Sequence, residues 1–244
     1  MPGDEPILVA EGLHKQYGAL VVLDDVRLDI AHGQTLGIVG PNGAGKTTLL
    51  SVLSGAQAPN AGSIRFKGGD VTGLSAASRC RLGLARTHQI PRPFAGMSVF
   101  ENVFVAASQA GAVAQAEAYD IAVDSLTLCG MLRLGNRPAE TLGLLDRKRL
   151  ELARAVATRP ALLLLDEIGG GLTDAEATEL VAAIRELRRR AISIVWIEHI
   201  VHVLLEVAER LICMDAGRII ADGEPQAVLG NAEVIAAYLG GAPA

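Results

Sequence analysis

The sequence predicts an α/β protein built around a largely parallel sheet that is covered on both faces. Three short apolar runs, at residues 35–39, 161–165 and 192–197, each have the length of one buried strand. An amphipathic segment at about 174–190 separates the last two runs, and this spacing is typical of a right-handed strand–helix–strand unit. Half of the 244 residues are hydrophobic but only 3% are aromatic. The core is therefore expected to consist mainly of Ala, Val, Ile and Leu, as in parallel sheets.

The two ends of the chain follow different patterns. Residues 7–30 alternate apolar and polar side chains, which predicts an antiparallel layer at the edge of the fold. The tail is predicted to form a strand pair near 211–214 and 219–222, followed by short helices as far as Leu239. Neither end shows an internal repeat.

The middle of the chain is predicted to be helical. Residues 98–130 are rich in alanine and carry no strand signal. We therefore expect a helical lobe over about 90–150, inserted into a core formed by about 1–89 and 151–220. The remaining residues, about 221–244, form the expected C-terminal tail.

Charge and cysteine content narrow the class of protein. The net charge of −5 leaves no basic surplus to pair with nucleic-acid phosphates, so no nucleic-acid partner is expected. Two basic clusters, 147–149 and 188–190, are expected to be solvated helix faces. The three cysteines, Cys80, Cys129 and Cys213, are far apart and indicate reduced thiols in a cytosolic protein. The acidic N-terminus does not read as a secretory signal, and no apolar run approaches the roughly 18 residues that span a bilayer.

The strongest motif lies at residues 40–47, which fit the pattern G-x-x-x-x-G-K-[ST]. Its glycines let the backbone turn tightly, so that successive N–H groups and the start of the next helix face a phosphate. Lys46 can reach the β- and γ-phosphates of a nucleotide, and the Thr47 hydroxyl can bind Mg²⁺. Kinases, GTPases and motor ATPases all share such a loop. The candidate nucleotide-binding residues here are Gly40, Pro41, Asn42, Gly43, Ala44, Gly45, Lys46, Thr47 and Thr48.

The second half of the candidate site follows two other strands. Asp166 and Glu167 come directly after the run 161–165, and ligands of open α/β sheets bind at the carboxyl ends of strands. Asp166 is placed to hold Mg²⁺ through water, and Glu167 to orient and deprotonate an attacking water. A solvated acidic pair at a strand end is the simpler alternative. His199 follows the third strand, from which it can contact the γ-phosphate and the Glu167 region, although a single histidine is more often structural.

In this order, over essentially the whole chain, the motifs resemble those of the ATP-binding subunits of ABC transporters. The resemblance implies an α/β fold of the P-loop NTPase (RecA-like) type, with an antiparallel β layer and an inserted α-helical lobe. It implies ATP and Mg²⁺ as cofactors. It also implies a dimer of ATPase subunits, identical or different, which docks on two integral membrane permease subunits at the cytoplasmic face of the cell (inner) membrane. An extracytoplasmic substrate-binding protein would be an indirect partner.

The resemblance also implies roles for individual residues. Tyr17 lies where the family stacks an aromatic ring on adenine. Gln89 corresponds to a glutamine that contacts Mg²⁺ and water and couples to the membrane subunits. Asp166 and Glu167 match the metal-binding aspartate and the catalytic glutamate, and His199 matches the switch histidine. Residues 170–173 lie where a dimer-contact loop is expected.

Within the family, three stretches resemble the importers of branched-chain amino acids: 85–89, 98–103 and 234–240. The expected function is therefore ATP hydrolysis that drives uptake of these amino acids. Other cargoes, such as urea, amides or lipopolysaccharide, remain open because this subunit does not touch the cargo in the family. A soluble ABC-type ATPase for nucleic-acid repair or ribosome work, and a small-molecule kinase with an acceptor pocket, are the remaining alternatives.

The sequence departs from the family at the signature Leu-Ser-Gly-Gly-Gln, which acts on nucleotide held by the opposite subunit. The aligned stretch lacks the serine hydroxyl, replaces both glycines by leucine and replaces the amide by a carboxylate. Such changes add bulk and negative charge where a phosphate is expected. Either the site facing this signature turns over slowly, or the backbone alone suffices. The altered residues are Leu142, Gly143, Leu144, Leu145 and Asp146, and Ile168 is a second departure, at a position where proline is usual.

Overall fold

A computed structural model describes residues 5–109 and 113–239, which form two sheets and several helical segments. The strands of the described residues are, in chain order, β1 (Leu8–Tyr17), β2 (Leu20–Ile30), β3 (Thr35–Val39), β4 (Ala61–Phe66), β5 (Gly69–Asp70), β6 (Leu84–Arg86), β7 (Leu162–Asp166), β8 (Ser193–Ile197), β9 (Arg210–Asp215) and β10 (Arg218–Gly223). One sheet, here called the antiparallel sheet, has the order β2-β1-β4-β5. The other, here called the core sheet, has the order β10-β9-β3-β8-β7-β6.

Helices cover the core sheet and form the region between β6 and β7. Those of the described residues are α1 (Lys46–Leu53), α2 (Ala76–Arg81), α3 (Val99–Gln109), α4 (Gln115–Leu128), α5 (Leu144–Ala157), α6 (Asp174–Arg189), α7 (Val201–Leu205), α8 (Pro225–Leu229) and α9 (Ala232–Leu239). Short 3₁₀ turns occur at Leu132–Leu134 and Ala139–Thr141. Within the described ranges, no helix combines the length and the apolar character needed to cross a membrane.

The core sheet confirms the predicted α/β class. Strands β3, β8 and β7 pair in parallel, and α6 connects β7 to β8 as predicted. All residues of these three strands are buried. The predicted runs 161–165 and 192–197 start one residue too early, since β7 begins at Leu162 and β8 at Ser193. Strand β7 also ends one residue later than the predicted run, so Asp166 is its last residue.

Each face of the core sheet contributes to a different apolar cluster. Along β7, Leu163 and Leu165 pack in the cluster that includes α4, α5 and α6, whereas Leu162 and Leu164 pack in the cluster that includes α1 and the antiparallel sheet. This division follows from the two-residue period of a strand, which sends successive side chains to opposite faces. Because β6, β7, β8, β3 and β9 pair in parallel, their carboxyl ends lie at one edge of the sheet.

A buried arginine fixes the far end of α1. The stretch 61–86, for which the sequence analysis predicted no element, forms β4, β5, α2 and β6. The fully buried Arg79 lies on α2, and its guanidinium donates to the carbonyl oxygens of Val52 and Leu53 at 2.9 and 2.7 Å. Helices leave their last carbonyls without intrahelical partners, and a cation there complements the helix dipole. Arg79 therefore stabilises the helix that follows the phosphate loop.

One of the two basic clusters differs from the expectation of solvated faces. The arginines at 188–190 are exposed and pair with carboxylates. In the cluster 147–149, however, Lys148 is only 4% exposed and its Nζ donates to the backbone carbonyl of Glu167 at 3.1 Å. The expectation was wrong for Lys148 because α5 packs beside the loop after β7, which takes this face out of solvent. Burial lowers the pKa of Lys148.

The N-terminus of α6 provides a first testable prediction. Thr173 Oγ1 accepts from the Glu176 N–H, and the Glu176 carboxylate accepts from the Thr173 N–H at 2.8 Å, which is a capping box. Thr173→Ala is expected to lower the free energy of unfolding by about 1 kcal/mol. Thermal unfolding would show this as a decrease of about 2–4 °C in Tm. Thr178→Ala, inside the same helix, is the control, and equal decreases for both variants would refute the capping role.

Candidate functional site

The phosphate-loop motif lies between β3 and α1, as the sequence predicted. Gly40 and Gly45 have φ angles of 144° and 99°, which side-chain-bearing residues rarely adopt. A Cβ on Gly40 would lie 2.1 Å from the Met214 carbonyl oxygen, and one on Gly45 would lie 2.6 Å from that of Val22. Glycine is thus required at both positions by conformation and by space. The helix that begins at Lys46 directs its N-terminal end toward the loop.

A cavity of about 210 Å³ connects this loop to the end of β7. It has the polar lining expected for a phosphate chain. The residues that line it are Val22, Asn42, Gly43, Ala44, Gly45, Lys46, Thr47, Thr48 and Glu167. The loop and the Glu167 side chain, which are far apart in sequence, therefore face the same space.

Lys46 is buried and held by the loop itself. Its Nζ donates to the carbonyl oxygens of Gly40 at 2.7 Å and Pro41 at 2.9 Å. Burial lowers the pKa of Lys46, and the nearby Glu167 carboxylate opposes that shift. A buried ammonium that has carbonyl partners but little contact with solvent would be stabilised further by an anion, such as a nucleotide phosphate.

Glu167 is the centre of a cluster that unites three sequence-predicted residues. Its Oε1 lies 2.9 Å from His199 Nε2, and its Oε2 accepts from Gln89 Nε2 at 2.5 Å. The Glu167 backbone has φ of 47°, and its N–H donates to the Ile197 carbonyl at 3.0 Å. Because β6, β7 and β8 end side by side, the residues after these three strands meet here. The cluster can hold a carboxylate in one orientation at the mouth of the cavity, as a general base requires.

Asp166 is paired with an arginine that the sequence analysis did not single out. Its carboxylate is 2% exposed, and Oδ2 accepts from Arg86 Nη2 at 2.7 Å. Arg86 Nη1 donates to Ser51 Oγ at 2.9 Å, and Ser51 Oγ donates to the Thr47 carbonyl at 2.7 Å. These contacts link the carboxylate to the first turn of α1. Arg86 reaches Asp166 because β6 and β7 are neighbours in the core sheet. The spacing of these residues in the sequence does not reveal that pairing.

The same carboxylate fits a role in binding Mg²⁺. Among the described residues, no group forms a hydrogen bond with the buried Asp166 Oδ1. The exposed Thr47 borders the cavity and offers a hydroxyl. Mg²⁺ takes oxygen ligands and usually keeps several waters beside one or two protein oxygens and substrate phosphates. An unpartnered carboxylate oxygen and a hydroxyl beside a phosphate cavity match that preference.

A second buried carboxylate, also missed in the sequence analysis, shapes the loops around Glu167. Glu198 Oε2 accepts from the Gly169 N–H at 2.9 Å, and Oε1 accepts from the His199 N–H at 3.0 Å. Glu198 therefore ties the loop after β7 to the loop after β8. Ile168, the second departure from the family pattern, is 1% exposed and packs in the apolar core.

Tyr17 lies at the end of β1 in the antiparallel sheet, as expected. Its ring is half-exposed, its hydroxyl bonds to Gln57, and Lys15 Nζ lies 5.2 Å from the ring centroid. An exposed aromatic face of this kind is available to stack on a base. Tyr17 is not among the described residues that line the cavity around the phosphate loop.

The altered signature does begin a helix. Gly143 is the N-cap of α5, and Leu144, 48% exposed, is its first residue. A Cβ added to Gly143 would meet no atom of the described residues within 4 Å, so space does not explain the absence of serine. Leu145 is half-buried, and Asp146 lies 3.9 Å from Arg149, which partly offsets its charge. The helix N-terminus is retained while the hydroxyl donor is lost.

The class of protein follows from where these groups meet. A glycine-rich loop of the kind that binds phosphates lies between a parallel strand and a helix, and a glutamate held by His199 and Gln89 faces the same cavity. This arrangement defines a nucleotide hydrolase of the phosphate-loop class.

Comparison with known proteins identifies the family. The model described as "ABC transporter" matches residues 23–169, and one described as "Branched-chain amino acid ATP-binding cassette transporter" matches residues 218–244. The chain belongs to the ABC transporter family and is an ATP-binding subunit that hydrolyses ATP.

Two relatives and one solved structure show how much of the chain is shared. The high-affinity branched-chain amino acid transport ATP-binding protein LivG of Salmonella typhimurium is 36% identical, over 97% of this chain and 98% of its own. The lipopolysaccharide export system ATP-binding protein LptB of Acidithiobacillus ferridurans is 33% identical, over 96% and 97%. A crystal structure of a nucleotide-free ATP-binding cassette from an ABC transporter superposes with a TM-score of 0.87 at 28% identity, covering 96% of this chain and 98% of that chain.

Proposed function

We propose that this chain powers the import of branched-chain amino acids as the ATP-hydrolysing subunit of an ABC transporter. The observation that carries the proposal is the match of residues 218–244 to the family model of branched-chain amino acid ATP-binding cassettes. The similarity to LivG, 36% identity over 97% of this chain, adds to it. LptB covers the chain almost as fully, so lipopolysaccharide export is the second candidate.

The residues of the site have the following proposed roles. The loop N–H groups and Lys46 bind the phosphates of ATP, while Tyr17 stacks on adenine. Asp166 and Thr47 would hold Mg²⁺. Bound Mg²⁺ would supply positive charge to the β- and γ-phosphate oxygens. Glu167 accepts the proton of the attacking water, and its orientation is set by His199 Nε2 and Gln89 Nε2 at 2.9 and 2.5 Å.

The proposed organisation divides the chain into a core, a helical lobe and a tail. A core of about 1–89 and 151–220 binds ATP, a helical lobe of about 90–150 transmits motion through Gln89, and about 221–244 form the tail. ATP binding closes a dimer of ATPase subunits and hydrolysis opens it. The subunit would be peripheral, docked on two permease subunits at the cytoplasmic face of the inner membrane, with a substrate-binding protein on the other side.

The retained site and the altered signature support a further proposal of asymmetry in a heterodimer. This chain's own ATP site has a complete set of groups, so it hydrolyses ATP if the partner supplies an intact signature. The partner's nucleotide would face Gly143 and Leu144, which offer no hydroxyl, and would turn over slowly. Replacing the catalytic glutamate in each subunit separately tests this idea. Unequal losses of activity are expected, and equal losses would contradict asymmetry.

Uptake by a strain that lacks this chain tests the cargo. Radiolabelled leucine uptake is expected to fall and to be restored by the wild-type chain but not by Glu167→Gln. Uptake of labelled urea and acetamide serves as the comparison and is expected to stay unchanged. Normal leucine uptake, combined with a defect in lipopolysaccharide at the cell surface, would favour the second candidate.

The proposed role of Tyr17 gives a prediction for nucleotide affinity. Tyr17→Ala is expected to raise the Kd for ATP about tenfold, since stacking of a base on an aromatic ring contributes roughly 1–3 kcal/mol. Tyr17→Phe keeps the ring and loses only the hydroxyl contact with Gln57, so a change of less than about twofold is expected. Isothermal titration with ATP measures both. Similar losses for the two variants would show that the hydroxyl, and not the ring, matters.

A further inference from the structure

The C-terminal helix α9 packs against the phosphate loop. Val234 anchors the helix, since it is buried in the apolar cluster of the core. The next turns of α9 approach the loop from outside, where Ala236 and Ala237 face Pro41 and Asn42 across a cavity of about 540 Å³. The last described turn of α9 is thereby held close to the phosphate loop.

The contact between this helix and the loop is a hydrogen bond to the first residue of the motif. The Tyr238 hydroxyl oxygen accepts from the Gly40 N–H at 2.8 Å, across 198 positions of the sequence. Gly40 follows the last residue of β3, where the strand ladder ends and a backbone donor needs another partner. Tyr238 is 45% exposed, and its partial burial raises the pKa of the hydroxyl.

Gly40 is restrained on its other sides as well. Its carbonyl oxygen accepts from Lys46 Nζ at 2.7 Å, and the Met214 carbonyl leaves no room for movement in the direction of a Cβ. The N–H and the carbonyl of one residue are therefore held by Tyr238 and by Lys46. A shift of Gly40 would move the carbonyl that orients the ammonium.

We propose that Tyr238 is a positioning residue for ATP binding: its hydroxyl holds Gly40, and Gly40 in turn orients Lys46 toward the β- and γ-phosphates. This inference rests on the proposed role of Lys46 in binding phosphate, and it is independent of the cargo. The C-terminal helix is then part of the nucleotide site through its last described turn. Tyr238 touches neither the nucleotide nor the water and acts through the loop.

Tyr238→Phe separates the hydroxyl from the packing of the ring. The Kd of the purified chain for ATP and for ADP is expected to rise about fivefold, which corresponds to the loss of one hydrogen bond. Binding of adenosine, which has no phosphate, is expected to remain unchanged. In the assembled transporter the KM for ATP should rise while kcat changes by less than about twofold. Tyr119→Phe, on an exposed ring that contacts Phe100, is the matched control and should alter none of these values.

The outcomes that overturn the proposal are specific. An unchanged Kd for ATP in Tyr238→Phe would refute it, and an equal loss for adenosine would show a general disturbance of the site. A double-mutant cycle adds a second test: in a Lys46→Ala background, Tyr238→Phe should change ATP affinity by less than about twofold. A full fivefold loss there would show that Tyr238 does not act through Lys46. Leucine uptake plays no part in these measurements, so failure of the cargo proposal would leave them interpretable.

Discussion

Glu167→Gln is expected to lower the ATPase rate of the assembled transporter by ~10²–10⁴-fold while ATP binding is retained. The amide keeps the size of the side chain and its contacts with Gln89 and His199, but it cannot accept the proton of the attacking water. Phosphate release from Mg-ATP, measured beside equilibrium binding of ATP, gives both quantities. Glu206→Gln, a partly exposed carboxylate paired with Arg185, is the control and should retain full activity.

The same measurement on the purified chain alone distinguishes the two readings of the altered signature. If the chain needs a partner with an intact signature, it binds ATP and releases no phosphate. Turnover by the isolated wild-type chain that disappears in Glu167→Gln would instead mean that the chain pairs with itself. The helix N-terminus at Gly143 would then suffice without a hydroxyl, and the proposal of asymmetry would be abandoned. A Glu167→Gln transporter with a normal rate would contradict the catalytic assignment itself.

Arg86→Met is expected to lower the free energy of unfolding by about 3 kcal/mol, because it leaves the buried Asp166 carboxylate without its guanidinium partner. For a chain of this size the loss corresponds to a decrease of about 6–12 °C in Tm. The variant also removes the hydrogen bond from Arg86 to Ser51, which supports α1. Thermal unfolding of the purified chain without nucleotide provides the measurement.

Two further variants test the reason given for that loss. Arg218→Met removes one partner of the exposed ion pair with Asp24, and because solvent screens that pair, the Tm is expected to fall far less than in Arg86→Met. Adding Asp166→Asn to Arg86→Met removes the unpaired charge, so part of the lost stability should return. If the double variant is no more stable than Arg86→Met, the buried charge is not the cause.

The parts of the fold and site that the sequence could predict are those that depend on neighbouring residues. The phosphate loop is a contiguous motif whose glycines meet a local backbone requirement, seen in the φ angles of Gly40 and Gly45. Buried strands such as β3 and the capped helix α6 are likewise encoded by short-range patterns. No strand was predicted within 61–86 because β5 and β6 have only two and three residues and half of the six residues of β4 are exposed, so none of them shows a clear period.

The residue types and their order along the chain were sufficient to predict four site residues, because each lies at the end of a recognisable strand or in a local motif. These residues are Lys46, Asp166, Glu167 and His199. The partners that hold them were decided by the tertiary structure alone. Arg86 reaches Asp166 across 80 positions, and Tyr238 reaches Gly40 across 198. Such contacts arise from strand order in the core sheet and from the packing of α9. Those features depend on how the whole chain buries its apolar surface, which leaves no local pattern in the sequence.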